Sequence, residues 1–391
     1  MTLPLAAVAV LADLSGPAPE VLLGRRREKE GDPWSGNVAL PGGRPAALDR
    51  DLLDTALREC GEESGIRIPR EAVRGALEPV VAGRVTGRHV RVRPFLAVVD
   101  GFRPGAGDGE MEEWAPFRLS DLDRPELRRV HTAPDGSAQD AVETRLGTLW
   151  GMTLRLLERL WREPLLPGIE RLWLDFDGTL YPASHPLAEA VDRRITQWLV
   201  RERSIPWEEA DELRRDLYHR HGNTLRGMMG QGDTDPTRYL DFVFDLPDSV
   251  FPGPDAGLVR ALREVAIPAE VFTNARADYV ARGLRSLGVA DRVEAIHDIG
   301  AFAWRTKPEP DLYDRLLAGS PVGARSIGFL EDRIGNLVPA RDRGVRCILV
   351  DEDLSADWGR EGELDWEAAP WEWKVRTASE LPFLLRPHLG T

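Results

Sequence analysis

The sequence predicts an α/β protein with two domains, and three observations point to this fold class. First, a chain of 391 residues is long enough for two or three separate hydrophobic cores. Second, short apolar segments alternate with helical segments after Arg171, a pattern typical of a parallel sheet covered on both faces. Third, two prolines and a glycine interrupt the hydrophobic periodicity over residues 162–168. We therefore expect one domain over residues 1–164 and another over residues 169–391.

Hydrophobic periodicity defines the elements of the first domain. It predicts strands over residues 6–11, 21–24, 80–84 and 90–99, a turn at Thr86-Gly87, and a helix over residues 51–64. Six apolar residues recur at helical spacing between Leu146 and Leu160, which predicts a closing helix over residues 145–161.

The second domain opens with a predicted strand over residues 171–176, followed by a charged, helix-rich insertion over about residues 186–250. Further strands are predicted at residues 269–272, 295–296, 326–330 and 347–350, with helical segments between them. The acidic tail carries four tryptophans, which we expect to pack this segment onto the domain: Trp358, Trp366, Trp371 and Trp373.

Composition limits the classes of partner. A formal net charge of −14 gives no attraction for a nucleic-acid polymer or an anionic membrane through the overall field. No apolar run is long enough to cross a bilayer, and no basic segment precedes the N-terminal apolar stretch. The two cysteines, Cys60 and Cys347, lie in no paired or metal-ligand spacing, so we expect free buried thiols. These features predict a cytoplasmic protein and leave its oligomeric state open.

The first constellation of candidate functional residues lies on one predicted helix. Glu59, Glu62 and Glu63 are spaced i, i+3 and i+4, which places three carboxylates on the same helix face. Like charges at this spacing repel, so the face is either fully solvated or binds a hard divalent cation. Arg58 can pair with one of these carboxylates and fix its orientation.

With the upstream turn Pro41-Gly42-Gly43 and with Gly65 after the helix, this segment resembles the box of the Nudix hydrolases. The match covers most of residues 3–161, and Asp49 stands where the box has its first glutamate. Two further segments resemble the coenzyme A pyrophosphatase branch: residues 22–26 and 149–153.

This resemblance implies an α/β/α sandwich with a mixed sheet. It also implies that Glu59, Glu62 and Glu63 hold Mg²⁺, or alternatively Mn²⁺, that Glu59 and Glu62 act in catalysis, and that Arg58 binds substrate. The reaction would be attack of a metal-activated water on a diphosphate linked to another moiety.

The second constellation lies at the ends of predicted strands and in one loop. Its members are Asp175 and Asp177, Thr273 and Asn274, Lys307, and Glu331 and Asp332. Ligand sites of open α/β sheets lie at the carboxyl ends of the strands, so we expect these side chains to meet. Carboxylates, hydroxyl, amide and ammonium groups together suit phosphate and Mg²⁺. A lone Asp-x-Asp-Gly-Thr segment also occurs in ordinary polar turns, but the four pieces in this order favour a site.

The segment Leu174–Tyr181, with these partners, resembles the haloacid-dehalogenase-like superfamily over residues 171–350. The resemblance implies a doubly wound, Rossmann-like parallel-sheet phosphatase core with a helical cap. Asp175 would attack phosphorus and form an aspartyl phosphate, and Asp177 would protonate the leaving alcohol and then activate water.

The same resemblance implies roles for the remaining residues. Thr273, Asn274 and Lys307 would bind the phosphorylated group, and Lys307 would also offset negative charge. Asp175, the backbone carbonyl of Asp177 and Asp332 would hold Mg²⁺, with Glu331 near it.

A finer resemblance is to the pyrimidine 5′-nucleotidase branch, carried by Gly178–Pro182 and by residues 218–228. His221 stands where that branch tends to have tyrosine, and Arg333 stands where a small residue is more usual. His219 and His221 either contact substrate or are surface residues of the inserted helices.

These observations predict a bifunctional, Mg²⁺-dependent hydrolase acting on small, nucleotide-related phosphorylated substrates. The first half would cleave the diphosphate bond of a nucleoside diphosphate derivative, and the second would dephosphorylate a monophosphate such as a pyrimidine nucleotide. Three alternatives remain open: a first half that only senses a ligand, a second half that is a phosphotransferase or mutase, and a non-catalytic scaffold.

Overall fold

The structure is a computed structural model that describes residues 3–16, 18–31, 34–83, 87–232, 234–354 and 369–390. Thr86 of the predicted turn, and Trp358 and Trp366 of the tail, lie outside the described residues. The chain divides into two compact units. The first holds the described residues up to Pro167, Leu354, Ala369 and those from Phe383 onward, and the second holds the described residues of 168–353 and 370–382.

The first unit is built on a mixed sheet with a smaller antiparallel sheet beside it. Its strands are β1 (Leu5–Asp13), β2 (Glu20–Arg26), β3 (Val38–Ala39), β4 (Gly42–Gly43), β5 (Val73–Ala76), β6 (Val80–Ala82), β7 (Val90–Val99), β8 (Met111–Arg118), β9 (Arg128–Thr132), β10 (Ala138–Thr144) and β11 (Gly147–Trp150). Its helices are α1 (Leu52–Ser64) and α2 (Gly151–Arg162).

The mixed character of the main sheet comes from β1, which runs parallel to β7 and antiparallel to β2 and β4. Alternation along β1 directs Ala7, Ala9 and Leu11 toward α1, where they pack against Leu53 and Cys60. Helix α2 contacts β6 and the small sheet of β9, β10 and β11. The predicted α/β sandwich with a mixed sheet is confirmed.

The predicted helix over residues 145–161 is wrong at its start. Residues 147–150 form β11, which pairs with β10, and the helix begins at Gly151. Gly147 and Gly151 have φ angles of +111° and +68°, outside the right-handed helical region. The apolar residues keep a helical spacing through β11, so the sequence pattern shows no boundary there. The boundary is set by the backbone conformation of the two glycines.

The second unit is a parallel sheet with helical connections and a helical insertion. Its strands are β12 (Arg171–Leu174), β13 (Ala269–Phe272), β14 (Val293–His297), β15 (Ile327–Glu331), β16 (Arg346–Val350) and β17 (Trp373–Val375). The helices of the insertion are α3 (Pro186–Arg203), α4 (Trp207–His221), α5 (Thr224–Gly230) and α6 (Pro236–Val243). The remaining helices are α7 (Ala256–Val265), α8 (Ala277–Leu287), α9 (Pro310–Gly319) and α10 (Ile334–Arg341), and a short helix α11 (Leu381–Leu385) follows β17.

The strands of this sheet are ordered β14-β13-β12-β15-β16-β17, and all paired neighbours are parallel. Strands β13 and β14 lie on one side of β12, and strands β15, β16 and β17 lie on the other. The order in which strands are added to the sheet therefore switches sides at β12. Ligand sites of such sheets form at this switch point. The inserted helices have their own apolar core around Trp198, Leu217 and Tyr239. The predicted parallel-sheet core with a helical cap is confirmed.

No helix in the described part of the chain is long and apolar enough to cross a membrane. Cys60 and Cys347 are both free and buried, as the sequence predicts.

Candidate active sites

The turn after β12 places two aspartates at the switch point of the parallel sheet. The backbone N–H of Asp175 donates to the carbonyl of Leu330 in β15, at 2.9 Å, which fixes the start of the turn. Gly178 has a φ of +79°, and a Cβ atom there would lie 2.6 Å from a carboxylate oxygen of Asp332. Glycine at this position therefore allows the Asp332 carboxylate to approach the turn.

Lys307 links the strand ends. Its ammonium lies 2.8 Å from Asp175 Oδ1 and 2.6 Å from Glu331 Oε2, and it donates to the carbonyl of Phe272 at 2.9 Å. Burial lowers the pKa of Lys307, but the two carboxylates outweigh burial and raise the pKa above its usual range. The lysine is therefore held as a cation.

Two carboxylates pair with this cation, and a third lies beside them. Ligand oxygens of Asp175, Glu331 and Asp332 lie within 4.8 Å of one another. Burial and the charge of Glu331 raise the pKa of both Asp175 and Asp332. Oδ1 of Asp332 is buried and accepts no hydrogen bond from the described residues. An excess of buried negative charge, with an oxygen lacking a partner, fits a divalent cation that prefers oxygen ligands.

Asp177 is held by two tyrosines that the sequence reasoning did not assign to the site. The hydroxyls of Tyr181 and Tyr279 both donate to Asp177 Oδ1, at 2.5 and 2.8 Å. Burial raises the pKa of Asp177, although these hydrogen bonds oppose the rise. Tyr279 also packs against Phe244, just beyond the last cap helix, with ring centroids 4.5 Å apart. Tyr279 carries no motif signal, because it comes from α8, 102 residues after Asp177.

Thr273 and Asn274 follow β13 and face the same site. The backbone N–H of Ala275 donates to Thr273 Oγ1 at 3.0 Å, so the hydroxyl proton of Thr273 remains available to an acceptor. Asn274 Oδ1 accepts from the backbone N–H of Lys307 at 2.7 Å, and its Nδ2 donates to the Lys307 carbonyl at 3.2 Å. The Asn274 side chain therefore positions Lys307.

These residues open into a cavity of about 490 Å³ between the sheet edge and the cap. Cap residues Tyr218, His219 and Thr224 line it, together with Arg333 from the loop after β15. His219 and His221 are both exposed, and only His219 of the two lines this cavity. The cavity places cap side chains opposite the carboxylate cluster, where a substrate would lie.

The glutamates of α1 meet the glycine turn that the sequence predicts beside them. Glu63 is buried, and its Oε2 accepts from the backbone N–H of Gly42 at 2.9 Å. A Cβ atom on Gly43 would lie 2.4 Å from Glu59 Oε1. Burial raises the pKa of Glu63 to about 8, opposed by the Gly42 hydrogen bond and assisted by the charges of Glu59 and Glu110. A buried carboxylate of this kind fits a cation that would compensate its charge.

Arg58 gathers the carboxylates around it. Its guanidinium lies 3.0 Å from Glu59 and 2.8 Å from Glu62, and it donates twice to Asp49, at 3.0 Å each. The hydrogen bond from Arg58 lowers the pKa of Asp49 to about 2. Asp49, in the place of the first box glutamate, therefore holds Arg58, and Arg58 in turn orients two of the three glutamates.

The helix glutamates converge less closely than the carboxylates of the second unit. Among the described residues, Glu59, Glu62 and Glu63 do not bring three carboxylate oxygens within 4.8 Å of one another. Glu110, just before β8, adds to the negative charge around Glu59 and Glu63 and was missed by sequence reasoning. Gly42 and Gly43 border a cavity of about 410 Å³ that Trp34 and Trp150 also line.

Comparison with known families identifies both halves. The family model of the NUDIX domain matches residues 2–135, and that of the haloacid dehalogenase-like hydrolases matches residues 169–341. Mitochondrial coenzyme A diphosphatase NUDT8 of Mus musculus is 40% identical over 75 residues, covering 19% of this chain and 36% of that protein. The Homo sapiens protein of the same name is 49% identical over 45 residues, covering 12% and 19%. This chain thus spans about a third or less of the length of these relatives.

Among solved structures, an HAD phosphatase from Thermococcus onnurineus covers 56% of this chain and 98% of its own, with 18% identity and a TM-score of 0.38. A likeness at this level gives no information about substrate. The two family matches coincide with the two carboxylate sites, one in each unit. The chain therefore carries a NUDIX domain over residues 2–135 and a haloacid dehalogenase-like hydrolase domain over residues 169–341.

Proposed function

We propose that this protein is a bifunctional, Mg²⁺-dependent hydrolase with one active site in each half. The phosphatase half removes phosphate from a monophosphate, such as a pyrimidine nucleotide. The observation that carries this proposal is the buried Lys307, held between Asp175 and Glu331 beside Asp332 at the floor of the 490 Å³ cavity. One cation among several carboxylates, open to a ligand-sized cavity, suits phosphoryl transfer.

In the proposed reaction, an Asp175 oxygen attacks phosphorus while the bond from phosphorus to the leaving oxygen breaks, which gives an aspartyl phosphate. Asp177 donates a proton to the leaving alcohol. It then takes a proton from water, the water oxygen attacks phosphorus, and the bond to Asp175 breaks to release phosphate. Thr273 donates its free hydroxyl proton to a phosphoryl oxygen, and Asn274 keeps Lys307 in place.

The metal site of this half would use Asp175, Asp332 and the backbone carbonyl of Asp177, with Glu331 as a neighbour that Lys307 already pairs. A bound Mg²⁺ would offset the excess carboxylate charge and draw electron density from the phosphoryl group.

The NUDIX half would cleave the diphosphate bond of a nucleoside diphosphate derivative. Glu59, Glu62 and Glu63 would hold Mg²⁺ or Mn²⁺, whose role is to activate the attacking water. Coenzyme A belongs to the candidate substrates because the mouse relative, 40% identical over 75 residues, is a coenzyme A diphosphatase. The geometry of Arg58 favours a role in orienting Glu59 and Glu62 over direct substrate contact.

A second candidate function for this half is ligand sensing without turnover. It is favoured by one observation: two of the three helix glutamates pair with Arg58 instead of converging with Glu63. A protein with this arrangement could bind a diphosphate compound in the 410 Å³ cavity and leave it intact.

The test is a screen of the full-length protein with Mg²⁺ and with Mn²⁺. Phosphate release is measured from nucleoside monophosphates and sugar phosphates, and monophosphate products are measured from coenzyme A, ADP-ribose and dinucleoside polyphosphates. We expect turnover in both panels. If only monophosphates are turned over and a diphosphate compound binds saturably, the NUDIX half senses a ligand and does not catalyse a reaction. No phosphate release from any monophosphate would overturn the proposal for the phosphatase half.

A further inference from the structure

Arg333 and Asp175 line the same cavity. Arg333 directly follows Glu331 and Asp332, and its backbone N–H donates to Glu331 Oε1 at 3.1 Å. Its side chain crosses to the cap, where Nη1 donates to the carbonyl of Gly222 at 2.5 Å and the guanidinium lies 4.3 Å from the ring centroid of Tyr218. Two contacts with the cap therefore fix the plane of this side chain.

The other cationic side chains that line this cavity and form ion pairs already face carboxylates. Lys307 pairs with Asp175 and Glu331. Arg214 lies 2.9 Å from Asp192, and both Arg214 and Arg215 lie 3.0 Å from Asp211. Their charge is offset within the protein.

Arg333 differs from these groups. Within the described part of the chain, its guanidinium forms no ion pair with a carboxylate. A guanidinium has five N–H donors, and one side-chain hydrogen bond is present, to Gly222. Donors and a positive charge are therefore left for a ligand in the cavity.

We propose that Arg333, stacked on Tyr218, binds a second anionic group of the substrate, so that the phosphatase half prefers phosphomonoesters carrying an additional carboxylate or phosphate. This inference rests on the proposed phosphatase function. The planar, fork-like guanidinium suits both kinds of oxyanion, and its stacking on Tyr218 orients it before the substrate arrives. Phosphate at Asp175 and the second anion at Arg333 would hold the substrate at two points.

The experiment compares esters that differ in the second anion. Orotidine 5′-monophosphate adds a carboxylate to uridine 5′-monophosphate, and uridine 3′,5′-bisphosphate adds a phosphate to it. 2-Phosphoglycolate and ethyl phosphate form a smaller pair. For each pair, kcat/KM of the more anionic ester is divided by that of its match, in wild type and in Arg333→Met.

We expect a ratio well above one in wild type for at least one pair, and a fall of this ratio by about 10- to 100-fold in Arg333→Met, as for the loss of a charge-assisted hydrogen bond. Arg333→Lys, which keeps the charge and loses the fork, should give an intermediate ratio. Whether the carboxylate or the phosphate pair responds identifies the second group.

Arg315→Met is the matched control. Arg315 also stacks on an aromatic ring, Phe302, at 5.2 Å and donates to a carbonyl, that of Ala301, but it does not line this cavity. Its ratio should equal that of wild type. Wild-type ratios near one in all pairs, or an equal loss for both members of a pair in Arg333→Met, would overturn the inference. The wild-type ratios decide the matter even if a variant does not fold. Absence of phosphate release from every ester would instead overturn the proposed phosphatase function.

Discussion

The two units assemble their carboxylates in opposite ways. In the NUDIX domain, Glu59, Glu62 and Glu63 come from a single helix, and their exposure is graded from 50% for the Glu62 side chain to 2% for Glu63. In the phosphatase domain, Asp175 and the pair Glu331-Asp332 come from the ends of neighbouring strands and converge around Lys307. Spacing on one helix brings carboxylates to one face but leaves each free to turn toward its own partner. Strand ends at a switch point direct them into one volume.

This difference has an energetic side. On the helix, Glu59 and Glu62 share Arg58 at a partly exposed position, where ion pairs contribute little to stability. The strand-end carboxylates share a fully buried lysine, whose removal would leave uncompensated buried charge. We therefore expect removal of the shared cation to lower the stability of the protein much more in the phosphatase site than in the NUDIX site.

The largest effect should come from Asp175→Asn. The substitution keeps the shape of the side chain and removes the anionic nucleophile, so monophosphate turnover should fall by several orders of magnitude. Asp314→Asn, the same substitution at an exposed carboxylate that pairs with Arg343, serves as the control. Turnover near the wild-type level in a folded Asp175→Asn protein at saturating Mg²⁺ would exclude the aspartyl phosphate.

Lys307→Met should destabilise the metal-free protein by about 3–5 kcal/mol, as for breaking a buried ion pair. The loss should shrink as the pH falls, because protonation of the carboxylates removes the charge that Lys307 offsets. Denaturant unfolding at several pH values measures it. Arg193→Met, at an exposed pair with Glu189, should have little effect. Equal stability of the two variants would mean that the carboxylate cluster does not depend on Lys307.

Tyr279→Phe should impair the proton transfer by Asp177. The hydroxyl of Tyr279 orients Asp177 Oδ1, and an acid is needed most when the leaving group is a poor one. We expect the ratio of kcat for an alkyl phosphate to kcat for p-nitrophenyl phosphate to fall about tenfold. Tyr313→Phe removes a buried hydroxyl that donates to the carbonyl of Asn336, away from Asp177, and should keep this ratio. An unchanged ratio in Tyr279→Phe would leave Tyr279 a structural role only.

The smallest effect is a pH-dependent change in stability at Glu63. Burial raises the pKa of Glu63 from 4.5 to about 8 in the folded, metal-free protein. The folded state therefore holds this proton more tightly than the unfolded state does, which stabilises it fully below pH 4.5. This stabilisation is lost as the pH rises through 8. Glutamine does not ionise, so Glu63→Gln does not lose this stabilisation. Its melting temperature minus that of wild type should therefore increase between pH 5 and pH 9. Glu62→Gln, at a half-exposed residue paired with Arg58, should show no such gain. Parallel melting curves for wild type and Glu63→Gln would contradict the burial of a charged Glu63.

Much of the fold could be predicted from sequence because the apolar pattern and the local geometry agree. The strand at residues 269–272 has the predicted limits, and helix α1 ends at Ser64 as predicted. The predicted helix was wrong over residues 145–150 because the backbone dihedral angles of two glycines, and not a change in polarity, exclude a helix there. Among the described strands, β3, β4, β5, β8, β9, β10 and β17 have no counterpart in the prediction.

The candidate site residues were found where a motif names them, and missed where only the fold brings them close. Tyr279 and Glu110 reach the sites through distant elements and carry no local signal. Arg333 stood out in the sequence, but its stacking on Tyr218 and its lack of a carboxylate partner among the described residues follow from the position of the cap.

The C-terminal residues also make contacts that no local sequence signal indicates, and these bear on the domain boundaries, which remain a prediction. Residues from Phe383 onward pack with the first unit: the N–H of Leu166 donates to the Leu384 carbonyl at 2.9 Å, and Trp161 contacts His388 at 4.4 Å between rings. Expression of residues 1–164 alone removes these contacts, so separate active sites are better tested in the full-length chain.

The central claim, two active sites that work separately, is tested most directly by measuring both reactions on both site variants of the full-length protein. We expect Asp175→Asn to abolish monophosphate hydrolysis and to retain diphosphate cleavage, and Glu63→Gln to do the reverse. Loss of both reactions in either variant, with the protein still folded, would contradict two separate sites and require a single composite one.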